Sequence, residues 1–322
     1  MKAIRIHQHG GPEVLRYEDV PLPEPGPGEA RVKIEAIGVN FIDIYYRTGL
    51  YRVALPVTPG GEAAGIIDAT GPDVGDLRTG TRVAYTSHVP GTYAEFAIAP
   101  AWRLVPLPES IDSQTAAAIM LQGMTVHYLT HSTYALKPGD VALVHAAAGG
   151  LGLVMVQVAK RLGATVYGTV STEEKAQAAR AAGADQVILY TEEDFEESVR
   201  RLTGGRGVDV VYDSVGKVTA EKSLNCLRPR GFLVLFGNAS GPAPPIDPLT
   251  LMSKGSLFLT RPTLPHYTAT RDEVLLRARA MFDFIKHGLS VRIAQTFPLA
   301  KAADAHRMLE SRKAIGKIVL VP

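Results

Sequence analysis

The hydrophobic pattern divides the chain into two parts. From Met1 to about Gln122, short segments that alternate apolar and polar residues, such as Arg82-Val-Ala-Tyr85, are separated by prolines and glycines. This pattern is typical of β-strands joined by turns. From Gly123 onward, apolar runs of strand length alternate with alanine-rich stretches of helical spacing. The first part therefore predicts an all-β domain, and the second predicts a parallel sheet with helical crossovers.

The predicted elements of the second part follow one another as strand, helix and strand. Apolar strands such as Val208-Asp-Val-Val-Tyr212 fit a sheet that is covered on both faces. After Pro265 the pattern predicts helices at about 271–287 and 301–311 and a final strand, Lys317–Val321. Before it, strands are predicted at about 141–147, 165–170, 187–189, 208–213 and 231–236, and helices at about 150–162, 173–182, 192–202 and 217–227.

Composition excludes several classes of protein. A length of 322 residues is enough for two domains with separate cores. The single cysteine, Cys226, excludes an intramolecular disulfide and any multi-cysteine zinc or iron–sulfur site. A formal net charge of +2 is too small for the basic field that nucleic-acid binding typically requires.

Targeting and membrane signals are also missing from the pattern. Residues 1–10 show no basic region followed by an apolar one. No apolar stretch reaches the ~20 residues that span a bilayer. We therefore expect a cytoplasmic protein that does not cross a membrane.

A glycine-rich motif, Ala147-Ala-Gly-Gly-Leu-Gly152, lies between the apolar segment Val141–Ala146 of the first predicted strand and an apolar helix. It has the spacing G-x-G-x-x-G, with Ala147 at the first glycine position. Glycines here allow a tight turn and let backbone N–H groups approach a pyrophosphate at the positive end of the helix dipole. A glycine-rich helix start without a ligand would read similarly, but the order of strand, motif and helix favours a dinucleotide site. The residues of this site are Ala147, Gly149, Gly150, Leu151 and Gly152.

The end of the next strand selects between NAD and NADP. NAD-binding chains carry an acidic residue ~20 positions after the motif, where it hydrogen-bonds the ribose 2′-hydroxyl. Here the residue 19 positions after Gly152 is Ser171. Ser171 and Thr172 can donate hydroxyl hydrogens to a 2′-phosphate, and Lys175 can add a positive charge. Either hydroxyl can instead cap the following helix, and the two roles are compatible. The sequence therefore favours NADPH.

Further motifs lie along almost the whole chain. They are Gly10-Gly-Pro-Glu-Val-Leu15, Gly38-Val-Asn-Phe-Ile-Asp43, Tyr45, Arg47-Thr-Gly-Leu-Tyr51, Gly60-Gly-Glu-Ala-Ala-Gly65, His145-Ala-Ala-Ala-Gly-Gly-Leu-Gly152, Val211-Tyr-Asp-Ser-Val-Gly216, Phe236-Gly-Asn238, Thr260-Arg-Pro262 and Glu310-Ser-Arg312. Together they resemble the medium-chain dehydrogenase/reductase superfamily, and within it the NADPH-dependent quinone oxidoreductases of the zeta-crystallin-like branch. The resemblance implies an α/β protein. It implies a GroES-like β-rich catalytic domain at residues 1–122 and 264–322. It also implies a Rossmann domain at residues 123–263, in which a doubly wound parallel sheet binds NADPH.

Zinc alcohol dehydrogenases share this fold, which raises the question of a metal. A catalytic zinc of that kind needs two cysteines and a histidine. Asn40 stands where the family's first cysteine ligand would be, and Gly61 replaces the histidine of a Gly-His-Glu motif. We therefore expect no metal. Without a Lewis acid, reduction of an electrophilic acceptor is favoured over alcohol oxidation.

The activity implied by the resemblance is hydride transfer from NADPH to a quinone held in the cleft between the domains. Asn40, Tyr45 and Tyr51 would lie near the nicotinamide, where an amide or phenol can hydrogen-bond the acceptor oxygen, although the tyrosines can also simply pack at a domain seam. Asp43 can orient a neighbour or cap a turn. Further cofactor contacts implied by the resemblance are Phe41, Ile42, Tyr128, Tyr190, Ser214, Phe236, Gly237, Asn238, Thr260, Arg261 and Arg312.

Two other functions remain open. An NADPH-dependent alkene reductase acting on enones would use the same cofactor site and metal-free cleft. Zeta-crystallin relatives also include lens structural proteins and RNA-binding proteins, so a non-catalytic NADPH- or RNA-binding role is the third candidate. The small net charge and the lack of a basic stripe with interleaved aromatics disfavour it.

The segment Gly255-Ser-Leu-Phe-Leu-Thr260 reads as the last strand of the cofactor sheet. A bare strand edge of this kind can pair with a second copy of the chain. We therefore expect a homodimer, which is also what the resemblance implies.

Overall fold

Fifteen strands and ten helices make up the chain in the computed structural model, which describes residues 1–322. The strands are β1 Lys2–Ile6, β2 Leu15–Asp19, β3 Glu29–Val39, β4 Glu62–Thr70, β5 Arg82–Thr86, β6 Phe96–Pro100, β7 Val105–Pro106, β8 Val141–Val144, β9 Thr165–Val170, β10 Gln186–Leu189, β11 Val208–Asp213, β12 Leu227–Leu235, β13 Phe258–Thr260, β14 Ile293–Pro298 and β15 Lys317–Val321. The helices are α1 Phe41–Thr48, α2 Ser113–Tyr128, α3 Gly150–Arg161, α4 Glu173–Ala181, α5 Phe195–Leu202, α6 Ala220–Asn225, α7 Pro248–Ser253, α8 Leu264–Tyr267, α9 Arg271–Lys286 and α10 Ala302–Glu310.

The first of two compact units comprises Met1–Met124 and Tyr267–Pro322. Its main sheet has the strand order β14-β15-β3-β4-β5-β7, with β6 also paired to β3, and β1 and β2 form a separate two-stranded sheet. The pairing is antiparallel except between β14 and β15. Val32 and Ile37 of β3 and Ile67 of β4 share a core with Ala302 and Ala305 of α10. This unit is the β-rich, GroES-like part of the predicted fold.

The second unit, Thr125–His266, contains a six-stranded sheet that is entirely parallel. Its strand order, β10-β9-β8-β11-β12-β13, is that of a doubly wound dinucleotide-binding sheet. Val199 of α5 and Leu224 of α6 pack against Leu143 of β8 and Val211 of β11. Because β9, β8 and β11 are neighbours, the loops that follow them meet at one edge of the sheet, where ligands bind in such folds.

The expectation that residues up to Gln122 are all β is wrong at two helices. α1 lies in the sequence Phe-Ile-Asp-Ile-Tyr-Tyr, whose aromatic and β-branched residues favour strands. It forms because Asp43 accepts a hydrogen bond from the Asn40 amide at its start, and Gly49, with φ of 80°, ends it. α2 begins where Asp112 accepts from the Thr115 amide at 2.8 Å. Most of α2 is buried and apolar on several sides, so it shows no amphipathic period.

The alternation of strands and helices predicted after Gly123 is confirmed, with some ends displaced. β8 ends at Val144 and not at 147, because Ala146 has a φ of 53° and leaves the extended conformation. α5 begins at Phe195 and not at 192, because the Asp194 carboxylate caps it by accepting from the Glu196 amide at 2.8 Å. The short helices α7 and α8 were not predicted. None of the helices combines the length and apolar character that crossing a membrane requires.

Candidate functional site

The glycine-rich turn between β8 and α3 has a backbone suited to a pyrophosphate. Ala146 has a φ of 53°, in the left-handed region that non-glycine residues rarely adopt. A Cβ on Gly152 would lie 2.2 Å from the Ala146 carbonyl oxygen, so only glycine fits there. Gly149 is the N-cap of α3, and no side chain caps the first amides of this helix. These N–H groups can therefore bind an anion, supported by the helix dipole.

The residues predicted to select the cofactor meet at the end of β9. Lys175 Nζ donates to Ser171 Oγ over 2.8 Å. Thr172 is the N-cap of α4, and its hydroxyl oxygen accepts from the Lys175 amide at 3.4 Å. Thr172 therefore performs the capping role, while Ser171 lies against an ammonium group. Arg180 binds Glu173 at 2.6 Å, so one of the two acidic residues at this helix start is neutralised. The combination of hydroxyl and ammonium fits a 2′-phosphate.

The other predicted cofactor contacts of this unit lie where its strands end. Tyr190 follows β10, and its amide donates to the Val170 carbonyl oxygen, next to Ser171, at 3.1 Å. A Cβ on Gly237 would lie 2.4 Å from the Ser214 carbonyl oxygen, so the loops after β11 and β12 approach closely. Phe236, Gly237 and Asn238 follow β12, Thr260 ends β13, Arg261 follows it, and Tyr128, which is buried, ends α2.

The predicted catalytic residues lie in and around α1. The rings of Tyr45 and Tyr51 pack edge to face with centroids 5.2 Å apart, and the Tyr51 amide donates to the Tyr45 carbonyl oxygen at 3.0 Å. The ring of Phe41 lies 6.4 Å from that of Tyr45. Ile42 is the next residue of the helix after Phe41. Ring packing is therefore established for both tyrosines, and their role in turnover stays a prediction.

Asn40 is held by a buried ion pair. Its Nδ2 donates to Glu62 Oε1 at 2.6 Å and to the Gly38 carbonyl oxygen at 3.3 Å. Its Oδ1 accepts from Lys317 Nζ at 2.7 Å, and Lys317 also binds Glu62 directly. The second carboxylate oxygen of Glu62 accepts from the Leu121 amide at 2.6 Å. Both amide hydrogens of Asn40 are thus engaged within the protein, so polarising an acceptor oxygen would require one of them to be redirected.

Asp43 combines the two roles considered for it. Its Oδ2 accepts from the Asn40 amide at 2.8 Å, which caps α1, and from the Tyr93 hydroxyl at 3.1 Å. His306 Nε2 lies 3.1 Å from that hydroxyl, and Arg47 donates to His306 Nδ1 at 3.1 Å. Burial raises the pKa of Asp43 to about 7 and, together with the Arg47 charge, lowers the pKa of His306 to about 3. The carboxyl group of Asp43 therefore orients Tyr93 and joins α1 to α10.

Arg312 lies just beyond the end of α10, where the helix dipole favours a cation, and it has a φ of 57°. Its assignment to the cofactor stays a prediction. The structure contains no group of three or more histidine, cysteine, aspartate or glutamate side chains placed to hold a metal ion.

Sequence reasoning assigned no role to two buried polar residues near the predicted site, Lys317 and His145. Lys317 opens an apolar strand and is separated from Glu62 by 255 positions. His145 stands between an apolar strand and the glycine-rich turn. The only signal in the sequence was a polar residue in an otherwise apolar stretch, which shows that a partner is needed but does not say which one.

Comparisons with known proteins place these units among dehydrogenases. The family model described as "Zinc-binding dehydrogenase" matches residues 150–267, and "Alcohol dehydrogenase GroES-like domain" matches residues 26–109. A quinone oxidoreductase from Pseudomonas aeruginosa is 48% identical over 323 residues, covering 100% of this chain and 99% of the relative. A 2-haloacrylate reductase from Burkholderia is 47% identical over 325 residues, covering 98% of each chain. The crystal structure of Escherichia coli quinone oxidoreductase complexed with NADPH is 45% identical, with a TM-score of 0.98 over 100% of both chains.

Proposed function

The chain belongs to the quinone oxidoreductase family of the medium-chain dehydrogenase/reductase superfamily, and we propose that it is an NADPH-dependent quinone reductase. The observation that carries the choice of NADPH is the contact of Lys175 Nζ with Ser171 Oγ at the end of β9. An NAD-binding chain would have a carboxylate in this place. The names of the relatives and the NADPH complex of the similar Escherichia coli structure support the same cofactor and activity.

The residues of the second unit divide the binding of NADPH among them. The amides of the turn that leads into α3 bind the pyrophosphate, and Ser171, Thr172 and Lys175 bind the 2′-phosphate. Tyr190 follows β10 and Ser214 follows β11, at the edge of the sheet where the other loops lie, and they complete the site. The contacts assigned by resemblance to Phe41, Ile42 and Arg312 of the first unit belong to the same proposal. NADPH, when bound, supplies the hydride.

Residues around α1 act on the acceptor. The phenols of Tyr45 and Tyr51 donate hydrogen bonds to the oxygen on which negative charge develops. Asn40 and Asp43 fix the start of α1, which holds the tyrosines in place. Reduction of a quinone yields an aromatic product, so solvent can complete the protonation without a dedicated general acid.

A second candidate activity is reduction of a carbon–carbon double bond conjugated to an oxygen-bearing group. The 2-haloacrylate reductase relative, 47% identical over 98% of the chain, favours it. The same cofactor site would serve, with the hydride delivered to carbon while the tyrosines bind the acceptor oxygen.

The proposal extends to the organisation of the chain. We assign residues 1–122 and 264–322 to the catalytic domain and residues 123–263 to the cofactor domain. We further assign the enzyme to the cytoplasm, where NADPH is a common reductant, and to a homodimer that pairs through β13. This strand lies at the end of the parallel sheet and has only β12 as a neighbour.

Initial rates of NADPH consumption with a para-quinone, measured beside NADH and beside an enone at equal concentration, test the activity. Rapid quinone turnover with a preference for NADPH is the expected result. Turnover of the enone alone would transfer the enzyme to the alkene reductases. A lower Michaelis constant for NADH than for NADPH would contradict the cofactor assignment, and no turnover of either acceptor would contradict both activities.

A further inference from the structure

A buried chain of hydrogen bonds lies beneath the cofactor-binding edge of the parallel sheet. His145 follows β8, Thr169 lies near the end of β9, Asp213 ends β11, and Ser223 lies in α6. His145 Nδ1 is 2.8 Å from Thr169 Oγ1, and its Nε2 is 3.0 Å from Ser223 Oγ. Ser223 donates to Asp213 Oδ2 at 3.1 Å. None of the four residues is more than 2% exposed.

With a neutral His145 ring, the donors and acceptors of this network have one consistent arrangement. Because Ser223 gives its hydrogen to Asp213, it accepts from His145, whose Nε2 must then carry the proton. When the ring is neutral, Nδ1 carries no hydrogen and accepts from the Thr169 hydroxyl. The ring is neutral in this arrangement, which agrees with the lowering of the pKa of His145 by burial. A protonated ring would lose its acceptor for Thr169.

Both ends of the network continue into loops assigned to the cofactor. Asp213 Oδ1 accepts from the amides of Val215 and Gly216, at 2.8 and 3.0 Å, and thereby fixes the loop that carries Ser214. At the other end, the Thr169 carbonyl oxygen accepts from the Ala147 amide at 3.1 Å. Thr169 is also two residues before Ser171. Three loops, after β8, β9 and β11, are thus joined through one imidazole ring.

We propose that His145 is a positioning residue that sets the relative placement of these three loops and so determines how tightly the chain binds NADPH. The inference rests on the proposed function. Its physical basis is that a fully paired buried polar network permits one arrangement of the groups it joins, whereas apolar side chains pack in several.

The two hydroxyl groups that flank His145, those of Thr169 and Ser223, should have different effects on the binding of NADPH and NADH. Thr169 holds the strand end from which Ser171 approaches the 2′-phosphate, a group that NADH lacks. Ser223 acts through Asp213 on the loop around Ser214, which has no part in that distinction. Removing the Thr169 hydroxyl will therefore weaken the binding of NADPH more than that of NADH, and removing the Ser223 hydroxyl will weaken both alike.

Fluorescence titration of the full chain with NADPH and with NADH tests this. The variants are Thr169→Val and Ser223→Ala, which keep the imidazole, because replacing His145 itself can prevent folding. Ser198→Ala is the control, because Ser198 of α5 is buried like Thr169 and Ser223. This substitution also removes a hydroxyl that is hydrogen-bonded, in this case to Glu193. We expect about a fivefold rise in the dissociation constant for NADPH in each test variant, a smaller rise for NADH in Thr169→Val, and kcat at saturating cofactor within about twofold of wild type.

Several outcomes would overturn the inference. Unchanged binding in both test variants would show that the network does not position the loops. An equal loss of NADPH affinity in Ser198→Ala would show a general effect of removing a buried hydroxyl. If Thr169→Val weakened the binding of both cofactors equally, the separate roles proposed for Thr169 and Ser223 would be contradicted. A wild-type chain that binds neither cofactor would overturn the proposed function together with the inference, whereas wild-type binding with unaffected variants overturns the inference alone.

Discussion

The positive charge of Lys175 is expected to select NADPH over NADH. Its Nζ lies 2.8 Å from Ser171 Oγ, so a 2′-phosphate bound by the hydroxyl would also meet the ammonium. We expect Lys175→Ala to raise the Michaelis constant for NADPH about tenfold, since a hydrogen bond to a charged group contributes about 1.5 kcal/mol, and to leave that for NADH unchanged. Lys160→Ala is the matched control, because Lys160 of α3 pairs with Asp185, which lies just before β10. Equal Michaelis constants for NADPH in the two variants would count against the assignment.

Tyr51 allows the hydroxyl and the ring to be separated. Its ring packs on Tyr45 at 5.2 Å, and phenylalanine preserves this packing while removing the phenol. Tyr51→Phe should lower kcat with a quinone about tenfold and leave the Michaelis constant for NADPH unchanged, because the lost hydrogen bond acts on the charge that develops in the transition state. Tyr46→Phe is the control, since its ring also contacts Tyr51, at 6.1 Å. Steady-state kinetics at saturating cofactor would reject the role if kcat did not change.

At the scale of elements, α1 is joined to α10 through groups whose titrations oppose each other. Asp43, with a pKa of about 7 in the folded chain, binds a proton on folding between about pH 4 and 7, so its contribution to stability is lost as the pH rises. His306, with a pKa of about 3, loses a proton on folding below about pH 6.5, so its contribution is lost as the pH falls. The two effects largely cancel in the wild-type protein.

The two single variants should therefore show unfolding free energies that change with pH in opposite directions. Between about pH 6.5 and 5.0, Asp43→Asn should lose about 2 kcal/mol of unfolding free energy more than wild type, because only His306 then responds. His306→Gln should lose about 2 kcal/mol less than wild type over the same interval. Urea unfolding at the two pH values measures both differences. Parallel pH profiles for the two variants would mean that neither group has the inferred pKa.

The same helix shows where sequence patterns stop being sufficient. The parallel sheet was predictable because its strands are uniformly apolar and each is followed by a stretch of helical period, so that local signals agree with the tertiary fold. α1 has residues that favour a strand and becomes a helix because Asp43 and Gly49 cap it. The spacing of residues in the sequence was enough to predict the glycine-rich turn and the position of Ser171. The pairing of Glu62 with Lys317 could not be predicted, because it depends on the register of distant strands.

In the whole molecule, the proposed binding of NADPH and the proposed action on the acceptor belong to different units. The second unit carries the loops at the strand ends, and the network around His145 joins them from beneath. The first unit holds the tyrosines on a helix anchored at its start by Asn40 and along its length by Arg47, which binds both His306 and Glu310. The positions proposed to contact ligands are thus supported by buried polar groups in both units, which favours fixed geometry over packing alone.

The edge of the parallel sheet makes a prediction about assembly. β13 ends the sheet, and Phe258, half exposed, stacks on Phe232 with ring centroids 4.4 Å apart. An open strand edge that carries an exposed apolar side chain can pair with a second copy. Leu249 and Met252 of α7 are exposed as well. Light scattering should therefore give twice the chain mass of 34.5 kDa, and Phe258→Glu should give the monomer, because a charge at the edge cannot be buried unpaired. Leu276→Glu, at an equally exposed apolar position of α9, should remain dimeric. A monomeric wild-type protein would remove β13 as the basis of assembly, and dissociation of both variants would mean that the contact lies elsewhere.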